Sequence, residues 1–136
     1  MSDAQRRGTR IAHVGIAVRS LIDALPFYRD VLGMPAKTLA DADQAQITGF
    51  AAGESLVELL EAVSPETPVG RFVARRGPGI HHICFAVDDL DATMQRCRNA
   101  GLRLIDEAPR VGAEGKRIAF VHPSSTAGIL VELSEY

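Results

Sequence analysis

Ala12-His13-Val14-Gly15-Ile16-Ala17-Val18, with Leu21 beyond it, and His81-His82-Ile83-Cys84-Phe85-Ala86-Val87, with Leu90 beyond it, are two versions of one phrase. Superposing them pairs His13 with His82, Ala17 with Ala86, Val18 with Val87 and Leu21 with Leu90. Each phrase is answered downstream by an apolar stretch holding one acid, Val57-Glu58-Leu59 in the first copy and Val131-Glu132-Leu133 in the second. Self-similarity at a fixed offset marks a duplicated structural unit. Two imidazoles and two carboxylates related by that duplication make a full ligand set for one divalent cation.

Working outward from the first phrase, residues 11–18 alternate and are rich in β-branched side chains, which predicts a strand. Ser20 stands as N-cap of a helix running to Gly33, with a kink at Pro26, where a backbone hydrogen bond is lost. Strands are expected near 35–39, 45–52 and 55–62, the last two joined at Gly53-Glu54. A linker rich in proline and glycine covers 64–79, with a short helix at 69–75. The second copy repeats the order, with a strand at 81–87, a helix from Asp89 to Gly101, and strands near 102–107, 116–122 and 128–134. The reading is α+β: a tail over 1–10, then one domain over 11–136 built of two tandem βαβββ modules, about 11–63 and 80–136. A helix covering one face of each sheet leaves the other open, so the curved sheets are expected to enclose a central metal-binding cleft.

Parity selects the residues that line it, because successive strand residues point to opposite faces. His13, Gly15 and Ala17 share a face, as do His82, Cys84 and Ala86, so each histidine sits among small side chains. His81 takes the bulky phase and is expected to be structural or to support the ligands from outside. His122, ahead of Pro123, is expected at the pocket rim. A strand histidine alone is more often structural than a ligand, and a strand glutamate usually faces solvent. Glu58 and Glu132, however, both interrupt apolar strands, where a buried charge is costly without a compensating cation. His13, Glu58, His82 and Glu132 are therefore the candidate metal ligands.

Composition narrows the partners. The chain has 136 residues, 46% of them apolar and 24% charged, with a net charge of −2, which gives no reason to expect nucleic acid or an anionic membrane. No apolar run approaches the roughly 20 residues of a spanning helix, and the N-terminus lacks an apolar signal core, so a cytoplasmic protein is expected. Cys84 and Cys97 are too few for a disulfide framework and are read as buried thiols.

The duplicated unit, with a ligand on the first and last strand of each copy, resembles the vicinal oxygen chelate superfamily (glyoxalase, bleomycin resistance and dioxygenase proteins) over residues 11–134. Within it, the Gly79-Ile80-His81-His82-Ile83 stretch and the ending Gly115-Lys116-Arg117-Ile118-Ala119-Phe120-Val121-His122-Pro123, closed by Gly128-Ile129-Leu130-Val131-Glu132-Leu133, are similar to methylmalonyl-CoA epimerases. The resemblance implies an isomerase that interconverts the 2R and 2S forms of methylmalonyl-CoA or a similar acyl-CoA. A divalent cation would act as Lewis acid, and bases on opposite faces of the α-carbon would exchange its proton. It implies Co²⁺ ahead of Ni²⁺, Mn²⁺ or Zn²⁺, an acyl-CoA as the small-molecule partner, and a homodimer. Glu132 maps onto the ligand that doubles as one base. The family's other base is a glutamate in the loop before the third strand, where this chain has Asp41-Ala42-Asp43-Gln44. Asp43 is aligned with it and Asp41 is second choice, each one methylene shorter. Ser124 replaces the lysine that several relatives carry, and some epimerases have glutamine at the Glu58 position. The alternatives are a glyoxalase I-like lyase or isomerase, and a ligand-sequestering protein of the same superfamily without the metal set.

Overall fold

The structure, a computed structural model, describes residues 8–136. Residues 1–7 of the expected tail lie outside the described residues; the Tyr136 hydroxyl donates to the Gly8 carbonyl at 2.7 Å, and the first strand begins at Arg10. The chain forms two compact units, His13–His82 and Ile83–Tyr136, the latter including the stretch ahead of His13.

The first unit holds β1 (Arg10–Ala17) from His13 onward, α1 (Leu21–Pro26), β2 (Ala36–Lys37), β3 (Ala45–Ala52), β4 (Ser55–Ala62), α2 (Pro68–Arg76) and the start of β5 (Gly79–Val87) as far as His82. Its strands lie in the order β2-β3-β4-β1, with β1 parallel to β4 and the other pairs antiparallel. The second unit takes β5 from Ile83 onward, α3 (Leu90–Asn99), β6 (Arg110–Val111), β7 (Arg117–Val121) and β8 (Val131–Glu135). Its order is β5-β8-β7-β6, with β5 parallel to β8 and the rest antiparallel. The same α+β topology thus occurs twice, as the duplicated phrases require. No helix among the described residues is long and apolar enough to cross a membrane.

Each unit packs its own core. Leu90 and Met94 on α3 are fully buried against Val87, Ala119, Val121 and Leu133, the bulky face expected from parity. Cys97 joins that cluster only partly buried, while Cys84 is fully buried; both are free thiols. In the first unit α2, capped by the Thr67 hydroxyl accepting from Gly70 N–H, places Val69 and Phe72 on Ala17, Ala45 and Leu60. Ala17 and Leu60 are register partners on the face that also carries His13 and Glu58, so the linker helix closes one end of that face. α1 and the turn that follows it lie on the opposite face, where Tyr28 of that turn stacks on buried Phe50 with centroids 5.9 Å apart.

Three expected elements come out differently. The helix predicted up to Gly33 ends as an α-helix at Pro26, which has no N–H to donate, and continues as a π-turn over Phe27–Val31 with Leu32 N–H bonded to the Phe27 carbonyl at 2.9 Å. The strand predicted over 35–39 is two residues long. The strand predicted near 102–107 is reduced to one bridge between Leu104 and Val121, and Arg110–Val111 is the edge strand instead. The cause is Asp106, whose carboxylate accepts Phe120 N–H at 2.7 Å and Arg110 Nε–H at 2.8 Å, supplanting the backbone partner that a continued ladder would use.

Candidate metal centre

In the first unit one row across the sheet runs Gly49–Glu58–Gly15, with His13 two residues earlier on the same face of β1. His13, Glu58 and His82 are 3%, 2% and 5% exposed, so a carboxylate and two imidazoles are almost wholly withdrawn from water. The two histidine Nε2 atoms lie 2.9 Å apart, with the rings edge-on at 87°. On its other side, Nδ1 of His13 is 2.9 Å from Oε2 of Glu58, an ion-pair contact rather than an aligned hydrogen bond. The His13 ring therefore bridges Glu58 and His82.

Gly15 makes this arrangement possible. A Cβ there would stand 2.2 Å from Cε1 and 2.7 Å from Nε2 of His82, so the ring occupies the space a side chain would fill. Nδ1 of the same ring meets Nδ1 of His81 at 3.0 Å. His81 in turn packs edge-on against Phe72 of α2, with centroids 5.0 Å apart.

The donor set suits a divalent cation. The Nε2–Nε2 contact of 2.9 Å brings together two imidazole nitrogens, donors of the kind that ligate divalent cations. A nearly buried carboxylate beside them supplies the negative charge that such an ion balances.

The second unit repeats the row. Glu132 on β8 is 6% exposed and stands between Cys84 on β5 and Phe120 on β7, the counterparts of Gly15 and Gly49. Its place is thus the duplicate of Glu58's.

The two loop aspartates behave differently from each other. Asp41 uses Oδ1 to accept Ile47 N–H at 3.2 Å. Asp43 is exposed at the tip of a tight turn between the bridged residues Ala42 and Ala45, and it and Gln44 have φ of 53° and 61°. Two consecutive positive φ values are the signature of a type I′ turn, a conformation aspartate tolerates better than most residues. Half-buried His122 has Nδ1 accepting Ser124 N–H at 3.0 Å, opening the short 3₁₀ turn Pro123–Ser125.

A second pair of glutamates escaped the sequence reading. Glu61 and Glu135 each follow the strand acid by three residues, in V-E-L-x-E, and so point to the opposite face. Glu61 Oε1 accepts Leu21 N–H at the start of α1 at 2.7 Å, and Glu135 Oε1 accepts Leu90 N–H at the start of α3 at 3.3 Å. Arg117, held above its ordinary pKa by hydrogen bonds to Asp91 and then Glu135, braces the second of these caps. The repeated fifth letter of V-E-L-x-E was the available signal.

Residues 12–120 match the family model of the glyoxalase/bleomycin resistance protein/dioxygenase superfamily. The chain belongs to that superfamily. Among its superfamily relatives, the uncharacterised YqjC of Bacillus subtilis is 40% identical over 93% of this chain and 91% of that protein. An ethylmalonyl-CoA/methylmalonyl-CoA epimerase of Cereibacter sphaeroides is 35% identical over 93% of this chain and 97% of its own length. A methylmalonyl-CoA epimerase solved with methylmalonyl-CoA and NH4+ superposes with a TM-score of 0.89 at 33% identity, covering 93% of this chain and 94% of that one.

Proposed function

We propose that this superfamily member is an epimerase of methylmalonyl-CoA or a similar acyl-CoA, working with one divalent cation held by His13, Glu58, His82 and Glu132. The observation that carries the reading is the buried convergence of the His13 and His82 Nε2 atoms beside Glu58. The part assigned to Glu132 rests on its repeat equivalence to Glu58. The epimerase relatives supply the reaction class.

The chemistry required is modest. The α-hydrogen between a thioester and a carboxylate must leave as a proton on one face and return on the other. The cation, when bound, would supply Lewis-acid stabilisation of the charge that develops on the thioester oxygen. His13 and His82 would hold the cation as neutral donors, and the carboxylates would supply the charge of the set. Glu58, which contacts Nδ1 of His13, would supply a carboxylate oxygen to the same set. Glu132 takes the proton on one face and Asp43 delivers one on the other, after which the roles reverse. Burial of the first-unit ligands excludes water that would compete for the cation.

The test starts from a single epimer of methylmalonyl-CoA. The Co²⁺-loaded protein is expected to generate the other epimer until the two reach equilibrium. Activity should disappear with a chelator and return with Co²⁺. A protein that leaves the epimer unchanged but converts a glutathione hemithioacetal belongs to the lyase class, the class of a Haemophilus influenzae lactoylglutathione lyase 30% identical to this chain. One that binds no metal and turns over neither compound is a sequestering protein. Metal analysis of the isolated protein and light scattering read the two remaining parts of the proposal, Co²⁺ as the native ion and a homodimer as the working form.

A further inference from the structure

We infer that His81 is a positioning residue for the metal centre, holding Nδ1 of His82 so that Nε2 is the nitrogen offered to the cation; this deepens the metal reading above and rests on it. Neighbouring residues of a strand point to opposite faces, so His81 would ordinarily turn away from His82. Near the start of β5 it does not: the two Nδ1 atoms are 3.0 Å apart, with the rings perpendicular at 88°. The His81 ring is half-buried and backed by Phe72 at 5.0 Å, and Phe72 is fixed by the α2 cluster with Val69, Ala17 and Leu60.

The consequence follows from imidazole chemistry. A neutral ring carries one N–H, and the nitrogen without it is the metal donor. When Nε2 of His82 binds a cation, Nδ1 must carry the hydrogen, and a buried N–H requires an acceptor. His81 Nδ1 is in place to be that acceptor. Gly15, lacking a Cβ, leaves open the space in which the same ring lies. The linker helix thereby bears on the metal centre through two aromatic contacts, Phe72 to His81 and His81 to His82. Partners that accept from the distal nitrogen of a ligating histidine set its orientation and basicity, and their loss costs about 10–100-fold in metal affinity.

Titration of the metal-free protein with Co²⁺ tests this, using His81→Phe and His81→Asn. Phenylalanine keeps the packing against Phe72 and removes the acceptor; asparagine restores an acceptor oxygen. The expected result is Co²⁺ affinity about 10–100-fold weaker in His81→Phe, with an altered visible absorption of the bound ion and recovery of much of the loss in His81→Asn. Thermal melting of the metal-free variants, read alongside, should stay near that of the parent. A merely structural histidine would move the melting temperature and leave the Co²⁺ spectrum alone. Parent-like Co²⁺ affinity and spectrum in His81→Phe would overturn the positioning role and leave the metal reading standing. A parent protein that binds no Co²⁺, Ni²⁺, Mn²⁺ or Zn²⁺ would overturn the metal reading itself, and this inference with it.

Discussion

A missing side chain shapes the site as much as those present. Gly15 is in register with Glu58, and the space above it is filled by the His82 ring. Gly15→Ala should therefore displace that ring and weaken Co²⁺ binding by about 10-fold or more, read by titration; unchanged affinity would mean the ring position is irrelevant to the metal. The two strand acids separate on different grounds. Glutamine still offers a metal an oxygen but cannot accept a proton, so Glu132→Gln should lower kcat by about 10²–10⁴-fold, while Glu58→Gln loses far less. Equal losses with equal metal content would refute that division of labour. Asp43 is the sharpest test among single residues. Its φ of 53° suits asparagine as well as aspartate, so Asp43→Asn removes the proposed base without straining the turn. Proton exchange from one epimer should then slow more than from the other in single turnovers. Symmetric, near-normal exchange would leave Asp43 as a turn residue. Asp43→Glu restores the family's side-chain length but places a longer residue at positive φ, which costs about 1 kcal/mol.

Elements are held to the sheet by the glutamates that the site does not use. Glu61 and Glu135 bond the first N–H groups of α1 and α3, where the helix dipole favours a carboxylate. Glu61→Ala should cost about 1–2 kcal/mol in urea unfolding, with kcat nearly unchanged, since its side chain faces away from His13 and Glu58. The contact at Glu135 is longer, 3.3 Å against 2.7 Å, but Arg117 also depends on it. A comparable stability loss is therefore expected there. A fall in activity without a fall in stability in Glu61→Ala would mean that the face assignment is wrong. The mid-chain elements show why element reading from sequence falters. Residues 102–107 have strand composition, yet the Asp106 side chain takes the Phe120 N–H that the ladder needed. Pro26 was readable as a kink, but the π-turn that follows depends on Leu32 reaching the Phe27 carbonyl, for which the sequence carries no local signal.

Over the whole molecule the duplication was the legible part. Repeated phrases predicted two equal α+β units, and strand parity predicted that His13 and Glu58 share a face, as the Gly15–Glu58 register has it. The family, too, could be reached from the Gly79–Ile83 stretch and the closing strand. Illegible were the contacts that break periodicity. Parity sends His81 away from His82, whereas the α2 helix, a linker on sequence grounds, brings Phe72 against it. The second acid of V-E-L-x-E was visible in both copies, but its partner lies 40 residues away in one and 45 in the other, at helix starts that no local rule connects to it. Long-range hydrogen bonds of this kind exist only once the parallel pairs β1–β4 and β5–β8 have formed.

The proposed reaction moves an α-proton of an acyl-CoA with a divalent cation in place. Incubating the Co²⁺-loaded protein with methylmalonyl-CoA in deuterated water, and reading the α-carbon by proton NMR, tests it most directly. Solvent deuterium is expected at that carbon, incorporated with the loaded protein and not with the chelated one. An α-proton that persists through prolonged incubation with metal-loaded, folded protein would contradict it.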